Sequence, residues 1–248
     1  MKPIVMTVVA LCACSSSSTP TSTPEPAEST QEAAEDKPAQ PETEAGDPVS
    51  VSPDVYKVLQ ENDRFRVMIA TWAPGQRDKH HRHPRLVAYA LTAIKGTHRQ
   101  QGDEKSFELP ERSSTFQAAV KSQSFENTSD RESKMLIVEL KKGEAEKPKG
   151  KNKDAPTASP DIFKEVLDLE EVRVLRATWK AKQKEEIHAH PAHAVYFLTD
   201  FKGREVNSEG KRQPFEAKAG SAHLAGVVEA HVLENLGGDA EALYFELK

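Results

Sequence analysis

From about residue 50 to its end the chain alternates short apolar segments with polar turns. Phe65, Val67, Ile69 and Thr71 fall on every second position. Val172 and Val174 open a similar stretch that is less clean at Arg176 and Thr178. A period of two puts one set of side chains on one face of a strand. Residues 86–91, 135–140, 194–198 and 242–247 are short, mainly apolar runs of strand length. Gly96, Gly102, Gly203 and Gly210 stand between such segments, where turns are needed. Only residues 55–59 and 162–167, each following Ser-Pro-Asp, read as locally helical. Many short strands with few helices predict an all-β sandwich or barrel.

The pattern is written twice. An offset of 107 lays Ser52-Pro53-Asp54 on Ser159-Pro160-Asp161, Ala70-Thr71-Trp72 on Ala177-Thr178-Trp179, and His81, His83 and Pro84 on His188, His190 and Pro191. Over residues 52–96 there are 18 identities in 45 ungapped positions, far beyond what shared composition gives. The offset becomes 108 for Phe107-Glu108 and Glu126-Asn127, and returns to 107 for Glu139-Leu140-Lys141 against Glu246-Leu247-Lys248. Opposite His193 stands Leu86, and opposite His231 the first offset puts Ser124. The units are 51–142 and 159–248, joined by a Lys-, Gly- and Pro-rich linker at 143–158. Units of about 90 residues bury little core alone, which predicts that they pack together, sharing core or strands. Glu126-Asn127 and Glu234-Asn235, kept in both copies, suggest a structural turn. Trp72 and Trp179 read as core, as do Tyr89 and Tyr196.

Charge and cysteine usage concern the N-terminus. Residues 15–50 hold eight acids against one base, whereas the net charge of the whole chain is −5. The repeats are therefore nearly neutral, which excludes a strongly basic nucleic-acid binder. That acidic stretch, rich in Ser, Thr, Pro and Glu, cannot bury enough surface to order itself and reads as a disordered tether. Both cysteines, Cys12 and Cys14, lie ahead of it, so the repeats have no disulfide, thiolate ligand or cysteine nucleophile. Lys2 and the apolar residues 3–11 form a short export-signal pattern. Leu11-Cys12-Ala13-Cys14 resembles a lipobox, which implies a signal peptide at 1–13, a lipid on Cys14, and a tether over 14–50. Ser15 resembles the outer-membrane sorting pattern. The expected location is a cell envelope, with the chain lipid-anchored on a periplasmic or surface-facing side.

The candidate chemistry is histidine. In a strand, His188 and His190 point to one face and can address one ion. Neutral imidazole suits Fe, Zn or Ni. Here the sequence resembles the cupin superfamily, whose motifs are G-x5-H-x-H-x3–4-E-x6-G and G-x5-P-x-G-x2-H-x3-N. Gly75, His81 and His83 match the start of the first motif. Gly220, Gly226, His231 and Asn235 match the spacing of the second. The resemblance covers both repeats and implies two tandem antiparallel barrels, a bicupin of double-stranded β-helices. It implies His188, His190 and His231 as metal ligands, to Fe, Zn, Mn or Ni. The acidic ligand of the motif is missing, Ala194 and Val195 standing there, and Lys182 replaces the first glycine. His193 is the candidate fourth ligand if Pro191 resets the strand's phase; otherwise it is a surface or supporting histidine. His223, opposite Thr115, is a candidate for the same pocket.

Three functions are expected from this reading. The first is a membrane-anchored bicupin holding one divalent metal in its C-terminal repeat, with a degenerate N-terminal partner. The second is a metal-dependent cupin enzyme, of dioxygenase, isomerase or decarboxylase type, on a small molecule in the C-terminal barrel. The third is a metal-free scaffolding or ligand-binding lipoprotein. No nucleic-acid partner is expected, and homo-oligomerisation is left open.

Overall fold

The computed structural model describes residues 45–141 and 146–248. The expected signal peptide, Cys14, nearly all of the expected tether and the first residues of the linker lie outside this range. The first repeat runs α1 (Pro48–Val51), β1 (Tyr56–Glu61), β2 (Phe65–Trp72), β3 (His81–His83), β4 (Leu86–Ala90), β5 (Ile94–Gln100), β6 (Asp103–Leu109), β7 (Ser114–Gln117), β8 (Val120–Asn127) and β9 (Ser133–Leu140). The second repeats this as α2 (Ala155–Ala158), β10 (Phe163–Asp168), β11 (Val172–Trp179), β12 (His188–His190), β13 (His193–Phe197), β14 (Phe201–Asn207), β15 (Arg212–Ala217), β16 (Ala222–Ala225), β17 (Val228–Asn235) and β18 (Ala240–Leu247).

Each repeat folds into two antiparallel sheets. Five strands order as β1-β2-β9-β4-β7 and four as β3-β8-β5-β6. The second repeat matches this with β10-β11-β18-β13-β16 and β12-β17-β14-β15. Side chains between the two sheets of a repeat form its own core: Leu175, Trp179, Phe197 and Tyr244 from one sheet meet Phe201 and Leu233 from the other. The all-β, two-barrel expectation holds.

The two five-stranded sheets also share a core. Phe65, Val67, Val87, Tyr89, Leu136 and Val138 of the first repeat join Val172, Val174, Ala194, Leu243, Phe245 and Leu247 of the second in one buried cluster. In β9, Leu136, Val138 and Leu140 enter this shared layer while Met135 and Ile137 enter the first barrel. Both faces of the strand are buried, which is why residues 135–138 are continuously apolar rather than alternating. The repeats thus share core and not strands. Around the layer, Arg176 Nη2 donates to Tyr89 Oη at 2.8 Å, and Arg85 pairs with Glu171 and Arg112 with Glu241 across the repeats.

Two local expectations are corrected. Residues 55–59 and 162–167 are not helical: β1 and β10 pair antiparallel with β2 and β11, from Tyr56 opposite Ala70 and Phe163 opposite Ala177. Pairing onto an apolar sheet edge outweighs a weak local helical pattern. The one-turn helices come just earlier, capped by Asp47 Oδ1 on the Val49 amide and Asp154 Oδ1 on the Thr157 amide. Asp47 and Asp154 also bind Arg66 and Arg173, so these residues at the ends of the tether and linker are fastened to their barrels.

The glycine that Lys182 replaces is accounted for by backbone geometry. Gly75 has φ +73° and Lys182 has φ +64°, so the lysine keeps the left-handed turn that glycine adopts more readily. Gly96 and Gly203 are needed for close approach: an added Cβ would lie 2.1 and 2.2 Å from the carbonyl oxygens of Glu126 and Glu234.

Because Phe245 sits fully buried in the layer common to both repeats, Phe245→Ala should cost about 3–5 kcal/mol. Denaturant unfolding followed by far-UV and tryptophan signals should still give one coincident transition. Two resolved transitions, with only the second barrel weakened, would contradict a shared core.

Candidate metal centre

The site is built where β12 crosses from one sheet to the other. His188 pairs with His231 of β17, and His190 with Val228, with an irregularity between them. Pro191 and Ala192 then carry the chain into β13, which belongs to the five-stranded sheet. Strand alternation therefore does not continue from His190 to His193. The sheet change resets the phase, and His193 faces inward, buried against its neighbours, with its ring centroid 4.7 Å from that of His190.

Among the described residues, His188, His190 and His231 are the group whose ligand atoms all lie within 4.8 Å of one another. Each ring is held by its Nδ1. His188 Nδ1 donates to the Glu186 carbonyl at 2.8 Å, His190 Nδ1 to Glu246 Oε1, and His231 Nδ1 to Glu205 Oε1 at 3.1 Å. A carbonyl or carboxylate oxygen only accepts, so the proton of each neutral ring lies on Nδ1 and Nε2 is a bare lone pair. His188 Nε2 and His190 Nε2 face each other at 2.9 Å, and His231 Nε2 is buried without any partner. Lone pairs at that distance repel unless a cation stands among them.

A proton is a poor candidate for that cation. Burial, aided by the neighbouring imidazoles, holds His188 at about 4 and pushes His190 well below the usual histidine range. Three neutral imidazoles with outward-fixed Nδ1 protons are the donor set that divalent transition ions take. The residues fit the implied group. His193 donates its Nδ1 proton to the Pro191 carbonyl at 2.8 Å and also presents a bare Nε2, though it is not one of the three converging ligand atoms.

An adjoining cavity of about 230 Å3 is lined by His193, His231, Glu205, His223, Phe215 and Tyr244, among others. His223 thus lines the pocket, its ring packed on Phe197 and Phe215.

Sequence reasoning missed the residues that hold these histidines. Glu246 binds His190 on one side and Arg173 on the other, and Arg173 continues to Asp154. The first repeat has the same chain in His83, Glu139, Arg66 and Asp47. The signal was present: Arg66 with Arg173 and Glu139 with Glu246 are polar identities inside apolar strands. Glu185 was likewise missed; it takes the Trp179 indole proton at 2.9 Å and the Leu233 amide at 2.7 Å. Trp72 and Trp179 are core residues, as expected. The expected structural turns are Asn127 and Asn235, whose amides bind the backbone of Arg131 and Gly238.

The first barrel differs at the ligands. His81 pairs with Gln123, so Gln123 and not Ser124 stands opposite His231. The 108-residue offset already applies there, because an extra residue enters the second repeat before β17. The Tyr56 hydroxyl, 2.7 Å from Asp78 Oδ2, also lies 3.2 Å from His81 Nε2. Phe163, in its place in the second barrel, leaves His188 Nε2 free of a hydroxyl. Among the described residues the first barrel forms no three-ligand group. His80 is exposed and bonds Ser122.

No protein-family model matches the sequence, and no curated protein matches it. Solved structures do. A variant of the oxalate decarboxylase of Bacillus subtilis superposes with a TM-score of 0.57 at 12% identity, covering 77% of this chain and 71% of that one. The Ylba protein of E. coli gives a TM-score of 0.53 at 14% identity, covering 78% and 82%. The chain is a tandem of two cupin-fold barrels. At these identities the likeness is one of fold.

The depressed histidines set a stability profile. His81, His188 and His193 sit at about 4 in the folded barrels, mainly through burial, against about 6.5 unfolded. As pH falls from 6.5 toward 4 the unfolded chain binds protons that the fold refuses, so stability falls. Glu185, raised to about 7 by burial, and Glu246, also raised, oppose this but are outnumbered once His190 is included. The urea midpoint of the metal-free protein should therefore be lower at pH 5 than at pH 7. A midpoint that rises on acidification would refute the neutral-histidine assignment.

Proposed function

We propose that the chain is a lipid-anchored protein of the cell envelope whose C-terminal barrel holds one divalent transition metal on His188, His190 and His231. The observation that carries this is the convergence of three buried Nε2 lone pairs, one wholly unpartnered, on rings whose Nδ1 atoms are already committed. Arg173 and Glu246 set the tautomer of His190, and Glu205 that of His231. Tyr244 stacks on His190 at 10° and 5.2 Å, fixing the ring plane. The solved oxalate decarboxylase of Bacillus subtilis, described with Mn(II) centres, supports manganese as one of the ions to test, with Fe, Zn and Ni.

A catalytic role is favoured by one further observation, the cavity reaching His231 beside His193, Glu205 and His223. A bound ion would supply Lewis acidity to a small molecule there. Glu205 is held below the usual carboxylate range, mainly by its bond to His231, so it stays ionised. Burial keeps His193 and His223 largely neutral, and the bare Nε2 of His193 can accept a hydrogen bond from a bound molecule.

Elemental analysis of protein purified under native expression should find close to one transition metal per chain. His231→Ala should reduce it to background, and His81→Ala should leave it nearly unchanged. Wild-type protein that stays metal-free after incubation with Fe(II), Mn, Ni and Zn would sink the proposal. The anchor is tested separately: Cys14→Ser should move the protein from the membrane fraction to the soluble one, and unchanged retention would remove it.

A further inference from the structure

The first barrel, stripped of a third ligand, keeps a cavity of its own. It measures about 150 Å3; Trp72, Phe107, Phe125, Met135 and Ile137 give it an apolar wall, and polar residues including His83, His98, Gln117 and Gln123 line the rest. An apolar cavity of roughly that volume accepts one benzene ring. The two barrels hold opposite chemistry at matched positions. Where the second has His193, His223 and Tyr244, the first has Leu86, Thr115 and Ile137. The bonded pair Glu205 and His231 becomes His98 and Gln123, joined at 3.0 Å, so the carboxylate of the second cavity has no counterpart. The Tyr56 hydroxyl stands beside His81 Nε2, where an ion would otherwise bind.

Among the fully buried polar atoms of the residues that line it, one is left over. Gln117 lines the cavity, and its Nε2 is buried with no hydrogen-bond partner. A buried amide donor left unpaired is costly, and an acceptor on a bound molecule would recover that cost. No lysine, arginine or carboxylate lines the cavity, so a charged ligand would lose its hydration without a counter-charge. Phe116, which also lines it, is 38% exposed and gives it an apolar edge open to solvent.

We propose that the N-terminal barrel is a metal-independent binding site for a small neutral aromatic molecule that carries one hydrogen-bond acceptor, placed against Gln117 Nε2. The absence of a three-histidine set there is then a change of ligand class, from an ion to an uncharged ring.

Calorimetry on the metal-free protein tests this with three probes. Acetophenone should bind with a Kd of about 0.1–1 mM, as suits nine heavy atoms. Ethylbenzene, which lacks the acceptor, should bind about tenfold more weakly, and benzoate should not bind measurably. Gln117→Leu should erase the preference for acetophenone while ethylbenzene still binds. Thr115→Phe, or the smaller plug Ala88→Leu, should abolish binding of both neutral probes while the metal content of the C-terminal barrel stays as in wild type. The proposal fails if neither neutral probe binds, if binding survives both plugs in protein with an unchanged circular dichroism spectrum, or if Gln117→Leu leaves the preference intact. These readouts are separate from the metal assay, so either idea can fall alone.

Discussion

The apolar layer between the two five-stranded sheets is the constraint on which the molecule rests. Each repeat is too small to bury a large core within itself, and the layer supplies a second one by covering the outer face of each sheet. Burial of both faces leaves no room for polar side chains along β2, β9, β11 and β18 unless they are paired. Arg176 of β11 pairs with Glu241 of β18, while Arg66 with Glu139 and Arg173 with Glu246 are each spent on a histidine. Packing and site construction are therefore one problem: the strands that make the shared layer also carry the carboxylates that orient His83 and His190.

Against this common scaffold a few exchanges set the two sites apart. Both keep the H-x-H strand, the Nδ1 bond from the first histidine to a backbone carbonyl, and the carboxylate behind the second. Phe163 in place of Tyr56 takes a hydroxyl away from the ligand atom, and His231 in place of Gln123 adds a third lone pair. Glu205 in place of His98 gives that third ring an acceptor for its Nδ1 proton. These exchanges work together, since a third histidine without a fixed tautomer would present either nitrogen. The opposite set leaves the cavity of the first barrel without a carboxylate or a third histidine of this kind, with His98 and Gln123 bonded to each other.

The site was partly legible before the fold was known. His188, His190 and His231 were named from motif spacing, and the structure brings them together. His193 was left undecided because strand alternation predicts the wrong face; the sheet change at Pro191 and Ala192, a tertiary event, turns it inward. An offset of 107 puts Ser124 opposite His231, but the offset of 108 that holds at Phe107 and Glu126 on either side applies there too, and the pairing of His81 with Gln123 fixes the match. Glu139 and Glu246 were visible as matched letters, but nothing along the chain tells that a carboxylate 56 residues away reaches a given ring.

By itself the sequence determined the duplication, the all-β class, the near-neutral cysteine-free body and the histidines worth naming. These follow from local periodicity, composition and self-similarity, which a linear chain displays. The tertiary structure decided that residues 55–59 and 162–167 are strands, because sheet pairing outweighs local propensity. It decided that the repeats share a core and not strands, and which nitrogen of each histidine is left bare. Tautomer and convergence depend on acceptors such as Glu205, Glu246 and the Glu186 carbonyl standing within about 3 Å of a ring. Distances of that kind exist only once the chain has closed on itself.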